Sequence, residues 1–256
     1  MLTGRTALIT GSTSGIGLGI ARSLAFHGAN IVLNGFGDVE AAKAHLKEFE
    51  GTVGYHDADM SKPDQIADMV RYAESEMGGI DILVNNAGIQ HVSPIESFPA
   101  ERWVAVMAIN LSSAFHTIRL TLPHMRARRW GRILNVASAH GLVASAEKSA
   151  YVAAKHGLVG LTKAVALETA TSPITCNAIC PGWVLTPLVQ KQVDARAARD
   201  GVDNAEAKRR LLGDKQPSMQ FTTPDQLGEL AVFLSSPAAD NIRGASINVD
   251  GGWTAQ

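Results

Sequence analysis

The strand-like segments of this chain are apolar on successive residues, not on alternate ones, and helical stretches separate them. They fall at 6–10, 31–33, 52–56, 80–84, 132–136, 174–179 and 245–249. A strand apolar on both faces needs cover on both faces, and strands that alternate with helices pair in parallel. The predicted fold is therefore α/β: one doubly wound, Rossmann-type domain over 1–256, a seven-stranded parallel sheet with helices on both faces. Ile16, Ile20 and Leu24 mark the apolar face of the first helix. Further helices are expected at 41–49, at Pro63–Met77 (with Ser61 and Pro63 as start signals and Gly78-Gly79 as the stop), at 100–106, 112–128, 149–170 and 224–234. No repeat or linker divides the chain. Residues 187–221 break the alternation, being helix-prone but polar. They leave the sheet edge where ligands of open α/β sheets bind. A substrate lid, an oligomer contact and a plain surface excursion all fit them.

The first strand runs into Gly11-Ser12-Thr13-Ser14-Gly15-Ile16-Gly17 and then a helix. Gly11 permits a sharp turn, Gly15 lets backbone approach a pyrophosphate, and Gly17 allows helix and strand to pack closely. The helix N-terminus adds free N–H groups and partial positive charge. Such a loop predicts dinucleotide binding, with Ser12, Thr13, Ser14 and Ile16 alongside the glycines. The second strand ends at Asn34-Gly35-Phe36-Gly37-Asp38 without the usual acid for the ribose hydroxyls. Asn34 can hydrogen-bond the ribose, Phe36 can cover adenosine, and Asp38 reaches only if the loop folds back. No Arg or Lys at 12–14 or 34–38 is available for a 2′-phosphate, which favours NAD over NADP.

Twenty-three basic side chains balance 24 acidic ones, and no basic stripe suggests nucleic acid. The run Arg126-Ala127-Arg128-Arg129 reads as a solvated helix end. No apolar run is long enough for a membrane span. Met1 to Arg5 lead directly into a strand, and Cys176 and Cys180 lie too far apart along a strand to pair. A reduced, cytoplasmic protein is expected, with no metal site.

Tyr151 and Lys155 stand one helical turn apart. A lysine charge beside a phenol is expected to pull its pKa down from about 10 and to make it an acid/base near neutrality. The pair alone is equally compatible with a solvated helix face.

The glycine loop, Asn85-Asn86-Ala87-Gly88, Tyr151-x-x-x-Lys155 and Pro181-Gly182 occur in this order, and with them nearly the whole chain resembles the short-chain dehydrogenase/reductase family. The resemblance implies a hydride-transferring oxidoreductase, in most members a tetramer. It places Asp59 at the adenine, Asn86, Ala87 and Gly88 along the dinucleotide, and Pro181, Gly182, Val184 and Thr186 around the nicotinamide. It makes Tyr151 the acid/base, Lys155 the group on the nicotinamide ribose, Ser138 the hydrogen-bond partner of the substrate oxygen, and Asn110 the holder of a relay water. By residue type alone, Ser138 also fits a helix cap and Asn110 a structural role.

Several segments, among them 85–91, 138–145, 180–184 and 249–254, are similar to family members that interconvert (R)-3-hydroxybutyrate and acetoacetate. On that resemblance Gln90, His140, Lys148 and Gln192 hold a carboxylate, and Trp183 and Trp253 border the pocket. A small hydroxy or keto acid suits one lysine charge among neutral donors. The alternatives are a reductase of a 3-oxoacyl thioester or sugar and a dinucleotide sensor without chemistry. Lys148 can also be a solvated loop lysine, His140 a loop histidine on backbone, and Trp253 plain packing.

Overall fold

The computed structural model describes residues 1–255. In chain order the elements are β1 (Thr6–Ile9), α1 (Gly15–Phe26), β2 (Asn30–Asn34), α2 (Val39–Ala44), β3 (Val53–His56), α3 (Pro63–Met77), β4 (Ile82–Asn85), α4 (Ala100–Met107), α5 (Ser113–Arg128), β5 (Gly131–Val136), α6 (Ser149–Glu168), β6 (Ile174–Pro181), α7 (Pro187–Asp200), α8 (Asn204–Gly213), α9 (Pro224–Ser235) and β7 (Ser246–Val249). The seven strands pair in parallel in the order β3-β2-β1-β4-β5-β6-β7. The order reverses between β1 and β4, so the connections leaving those strands diverge and open a crevice at their carboxyl ends.

Both faces of the sheet are covered, as the double-sided apolar strands require. Ile9, Leu33 and Val84 pack with Ile20 and Leu24 of α1 and with Leu227 and Ala231 of α9. Leu8, Val32, Leu83 and Ile133 face the other way, onto Ile66, Met69 and Val70 of α3 and Ile118 and Met125 of α5. Cys176 and Cys180 are both buried in β6 with free thiols. Burial pushes them up to about 12 and about 11, so neither is a ready thiolate.

Four local expectations are corrected. Helix α2 stops at Ala44, although residues on to 49 are helix-prone; Asp38 caps its start, and Leu46 is instead buried in the core. Ser61 does not cap α3: the helix begins behind Lys62 with Pro63 in its first turn, and the Ser61 amide donates to the Asp59 carboxylate at 2.8 Å. The β4 ladder starts at Ile82 because buried Asp81 accepts hydrogen bonds from the Thr6 amide and Arg5. The helices expected at 100–106 and 112–128 are joined by a π-helical turn, Ala108–Ser112, with Asn110 inside it.

Residues 187–221 form a helical pair rather than an irregular excursion. Helices α7 and α8 share a small core of Val189, Val193, Ala207 and Leu211. Arg196 bridges Asp200 to Asp214, and Arg210 reaches Asp200 and Glu206, which ties the two helices together.

Helix α1, which starts at the glycine loop, is held at unusually close range by α9. A Cβ on Gly19 would stand 2.4 Å from Pro224 Cβ, and one on Gly228 would stand 2.3 Å from Ser23 Oγ. Overpacking at such a contact costs about 1–3 kcal/mol, offset by about 1 kcal/mol of helix propensity. Gly19→Ala is thus expected to lower stability by about 1–2 kcal/mol in urea unfolding. An unchanged midpoint would show that α1 and α9 separate without loss.

Candidate active site

A groove of about 420 Å³ occupies the crevice beyond β1 and β4. Its floor at one end is the glycine loop. Gly11 turns with φ +63°, and a Cβ there would sit 2.9 Å from Ala87 Cα. Helix α1 begins at Gly15 behind Ser14, which makes no side-chain cap, and the first turn carries no acidic residue. Uncapped amides at a dipole's positive end, next to backbone that only glycine permits, fit a pyrophosphate. Thr13, Ser14, Gly15 and Ile16 line the groove, and so do Phe36, Asp59, Asn86, Ala87 and Gly88. Asp59 is held below the ordinary carboxylate range, chiefly by hydrogen bonds from Ser61.

Two expected cofactor residues do not line the groove. Ser12 is buried, with Oγ donating to Ile9 O at 2.7 Å and accepting from the Asn34 amide at 3.0 Å. Gly17 lies beneath the loop, where a Cβ would strike Gly11 O and Asn86 Nδ2, each at 2.5 Å. Nor does Asn34 offer its amide to a ribose. The side chain is buried, accepting from the Gly11 amide and donating to His56 O and Ala58 O. Asp38 caps α2, accepting from the Ala41 amide at 2.9 Å, and the loop does not fold back. One residue outside the sequence reading matters here. Thr10 Oγ1 accepts from the Asn86 and Ala87 amides, both at 3.0 Å, while Asn86 Nδ2 returns bonds to Thr10 O and Gly11 O, both at 2.9 Å. Its only signal in sequence was its place at the end of β1.

At the middle of the groove stand Ser138, Tyr151 and Lys155. Ser138 follows β5, and its Oγ accepts from the His140 amide at 3.1 Å. Helix α6 carries the other two on one face. Lys155 is buried and donates to Val136 O at 2.7 Å, with Nζ 5.6 Å from the centre of the Tyr151 ring. Asn110 is absent from the groove lining. Its amide accepts from Ile89 N at 2.9 Å and donates to Ile89 O at 3.0 Å, pinning the segment after Gly88 to the π turn.

Gln90, His140, Lys148, Trp183, Gln192 and Trp253 also line the groove, His140 and Lys148 from the β5–α6 connection and the others each from a different stretch of chain. Pro181, Gly182, Val184 and Thr186 line it as well, and a Cβ on Gly15 would stand 3.3 Å from Thr186 Cγ2. The rings form a wall: His140 meets Tyr151 at 5.9 Å and Trp253 at 5.1 Å, and Trp253 meets Trp183 at 5.9 Å. Lys148 Nζ lies 5.4 Å from the Trp183 ring. Burial, reinforced by Lys148 and Lys215, pushes His140 down to about 4, so its imidazole is neutral at physiological pH. Its Nε2 pairs with Ser145 Oγ at 2.9 Å, a partner the sequence reading missed. The buried Gln90 Nε2 and Trp183 Nε1 have no partner among the described residues. One ammonium, a neutral imidazole and unpaired N–H donors are suited to an anion.

Residues 5–197 match the model of the short chain dehydrogenase family. The chain belongs to this family. It is 68% identical over 258 residues to the D-beta-hydroxybutyrate dehydrogenase of Cupriavidus necator, a match covering 100% of each chain. It is 54% identical to the D-beta-hydroxybutyrate dehydrogenase of Rhizobium meliloti, covering 98% of this chain and 99% of that one. Among solved structures it superposes on an actinorhodin polyketide ketoreductase crystallised with NADPH, with TM-score 0.93, 32% identity and full coverage of both chains. This short-chain dehydrogenase is an oxidoreductase that works with a dinucleotide.

The electrostatics of its Tyr151 reverse one expectation. Burial pushes the phenol above its ordinary value, and a hydrogen bond involving Ser138 only partly opposes this. Lys155 itself is pushed down to about 8 by burial, with Cys180 slightly opposing. One helical turn does bring the two together, but desolvation is the largest influence on each. The phenol is protonated at neutral pH, so in the free protein it is poised to donate. Ketone reduction should hold at neutral pH, and alcohol oxidation should rise as pH rises. Ultraviolet difference titration of the free protein should show no tyrosinate below about pH 9. A tyrosinate that forms near neutrality and vanishes in Tyr151→Phe would contradict the raised pKa.

Proposed function

We propose that this dehydrogenase interconverts (R)-3-hydroxybutyrate and acetoacetate, with NAD carrying the hydride. The observation that carries the reading is the convergence of Gln90, His140, Lys148 and Gln192 on the groove that also holds Ser138 and Tyr151. A hydroxy acid short enough to touch both groups is the substrate this separation of roles asks for. The identity to two D-beta-hydroxybutyrate dehydrogenases supports the same substrate.

The amides of the glycine loop and of the first turn of α1 hold the pyrophosphate, Phe36 and Asp59 the adenosine, and Asn86, Ala87 and Gly88 the middle of the dinucleotide. Pro181, Gly182, Val184 and Thr186 flank the nicotinamide, and Lys155 meets its ribose. The absence of a cation at 12–14 and 34–38 supports NAD over NADP. The residues named would hold NAD, which when bound would supply the hydride acceptor for oxidation of the alcohol carbon.

Tyr151 takes the hydroxyl proton as the alcohol becomes a ketone, and returns it in the reverse direction. That proton and the hydride account for both hydrogens lost in oxidation. Lys155, while protonated, supplies a positive charge near the phenol. Ser138 donates to the substrate oxygen, whose negative charge grows in the transition state. Asn110 acts through Ile89, holding the wall next to Gly88 in place. Lys148 holds the carboxylate with full charge, and neutral His140 orients it by hydrogen bonding. The α7–α8 pair covers the substrate, as the presence of Gln192 in the lining suggests. The reading includes a homotetramer working in the cytoplasm; among the described residues no helix is long and apolar enough to cross a membrane.

NADH formation with a panel of hydroxy acids, sugar alcohols and hydroxyacyl thioesters tests the proposal. Strong turnover is expected with (R)-3-hydroxybutyrate and NAD, and little with NADP. Lys148→Ala should raise the KM for 3-hydroxybutyrate by about 10- to 100-fold, the worth of a hydrogen bond to a charged group, and leave NAD binding unchanged. Turnover of a neutral sugar alcohol in preference to the acid would refute it.

A further inference from the structure

Neither the glycine loop nor the acid–base group explains Gln216. This residue follows α8 and is 1% exposed. Its Oε1 accepts from the Trp183 amide at 2.8 Å, its Nε2 donates to Gln220 O, and its own amide donates to Leu212 O in the last turn of α8 at 2.7 Å. The side chain is wedged between two glycines. A Cβ on Gly182 would stand 2.5 Å from Gln216 Oε1, and one on Gly251 would stand 2.6 Å from Gln216 Cγ.

Those glycines end the two strands that carry the paired tryptophans. Gly182 precedes Trp183 beyond β6, and Gly251 lies two residues before Trp253 beyond β7. The backbone of Trp183 is bonded on its other side too, accepting at O from the Thr222 amide at 2.9 Å. Beyond β7, Gly251 O accepts from the Ser218 amide at 3.0 Å. Gln216 therefore fills the space between the segments that leave β6 and β7, whose ladder ends at Pro181 and Val249, and it packs behind the Trp183–Trp253 wall against which Lys148 and His140 stand.

We infer that Gln216 is a positioning residue for the anionic end of the substrate, coupling the exit of the α7–α8 pair to the two-tryptophan wall. It touches neither the reacting carbon nor the dinucleotide. Removing its amide leaves the Trp183 N–H buried without an acceptor and frees the wall to shift, a displacement that weakens contacts to the carboxylate first. Lys215, next in the chain, is carried along and adds its charge to the same end. The inference rests on the proposed hydroxy-acid substrate.

Gln216→Met keeps the volume and removes both hydrogen bonds. It should raise the KM for 3-hydroxybutyrate about 10-fold or more while leaving the NAD KM within about two-fold, in a protein that still folds but with a lowered urea midpoint. Gln216→Glu accepts from the Trp183 amide and, when protonated, donates to Gln220 O, so it should recover most of the lost affinity. Tryptophan emission, read without substrate, should shift in Gln216→Met and return in Gln216→Glu. A folded Gln216→Met with wild-type KM, or with unshifted emission, overturns the inference, as does a parallel fall in kcat and rise of both KM values. Should Gln216→Met not accumulate as folded protein, Gln216→Asn, one methylene short of Trp183, must show the same selective loss. Wild-type protein inert toward 3-hydroxybutyrate would instead count against the substrate assignment, and the emission readout would still decide the role of Gln216.

Discussion

A lysine withdrawn from water and tied to the last carbonyl of β5 is the contact on which the site is built. Lys155 donates to Val136 O, and that bond, with Leu158 and Val159 packed on Ala178 and Cys180, holds α6 against the carboxyl end of the sheet. It sets where Tyr151 stands relative to Ser138, which leaves the same strand two residues later. It also explains the charge balance. Burial weakens the hold of Lys155 on its proton and strengthens that of Tyr151. The pair is a charge store with its two members moved toward each other in acidity, not simply a phenol made acidic by a cation.

Around this contact, polar side chains hold the walls of the groove. Thr10 and Asn86 clasp the ends of β1 and β4 at the switch point, Asn34 ties the glycine loop to the end of β3, and Asn110 grips Ile89 from a π turn. Gln216 ties the segment after β6 to residue 220, beyond the end of α8. Each is buried or partly buried, and each bonds backbone from a distant segment. Cost concentrates at such sites, because losing one partner strands another buried polar group.

The sheet and most helices were legible because their signals are local. Consecutive apolar residues mark a strand covered on both faces, and the parallel order then delivers every strand's exit loop to one end. That is why Gln90, His140, Lys148 and Trp253, scattered along the chain, meet in one groove. What escaped the sequence were partnerships across long separations. Asn34 reads as a free polar group at a strand end until β3 is beside it, and Ser12 reads as a loop serine until Ile9 O and Asn34 take its hydroxyl. The π turn keeps helical polarity on both sides, so it looks like a break between two helices. The sign of the Tyr151 shift escaped for the same reason. Spacing along a helix shows which charges are near, but burial is decided by what packs over them.

The central claim is that Tyr151, one helical turn from Lys155, moves the proton that accompanies hydride transfer. Single-turnover reduction of acetoacetate by protein loaded with NADH, followed across pH, tests it most directly. The account predicts a rate that is level through neutrality, falls as the phenol ionises, and is lost in Tyr151→Phe with NADH binding intact. A Tyr151→Phe protein that reduces acetoacetate at near wild-type rate with the same pH profile would contradict it.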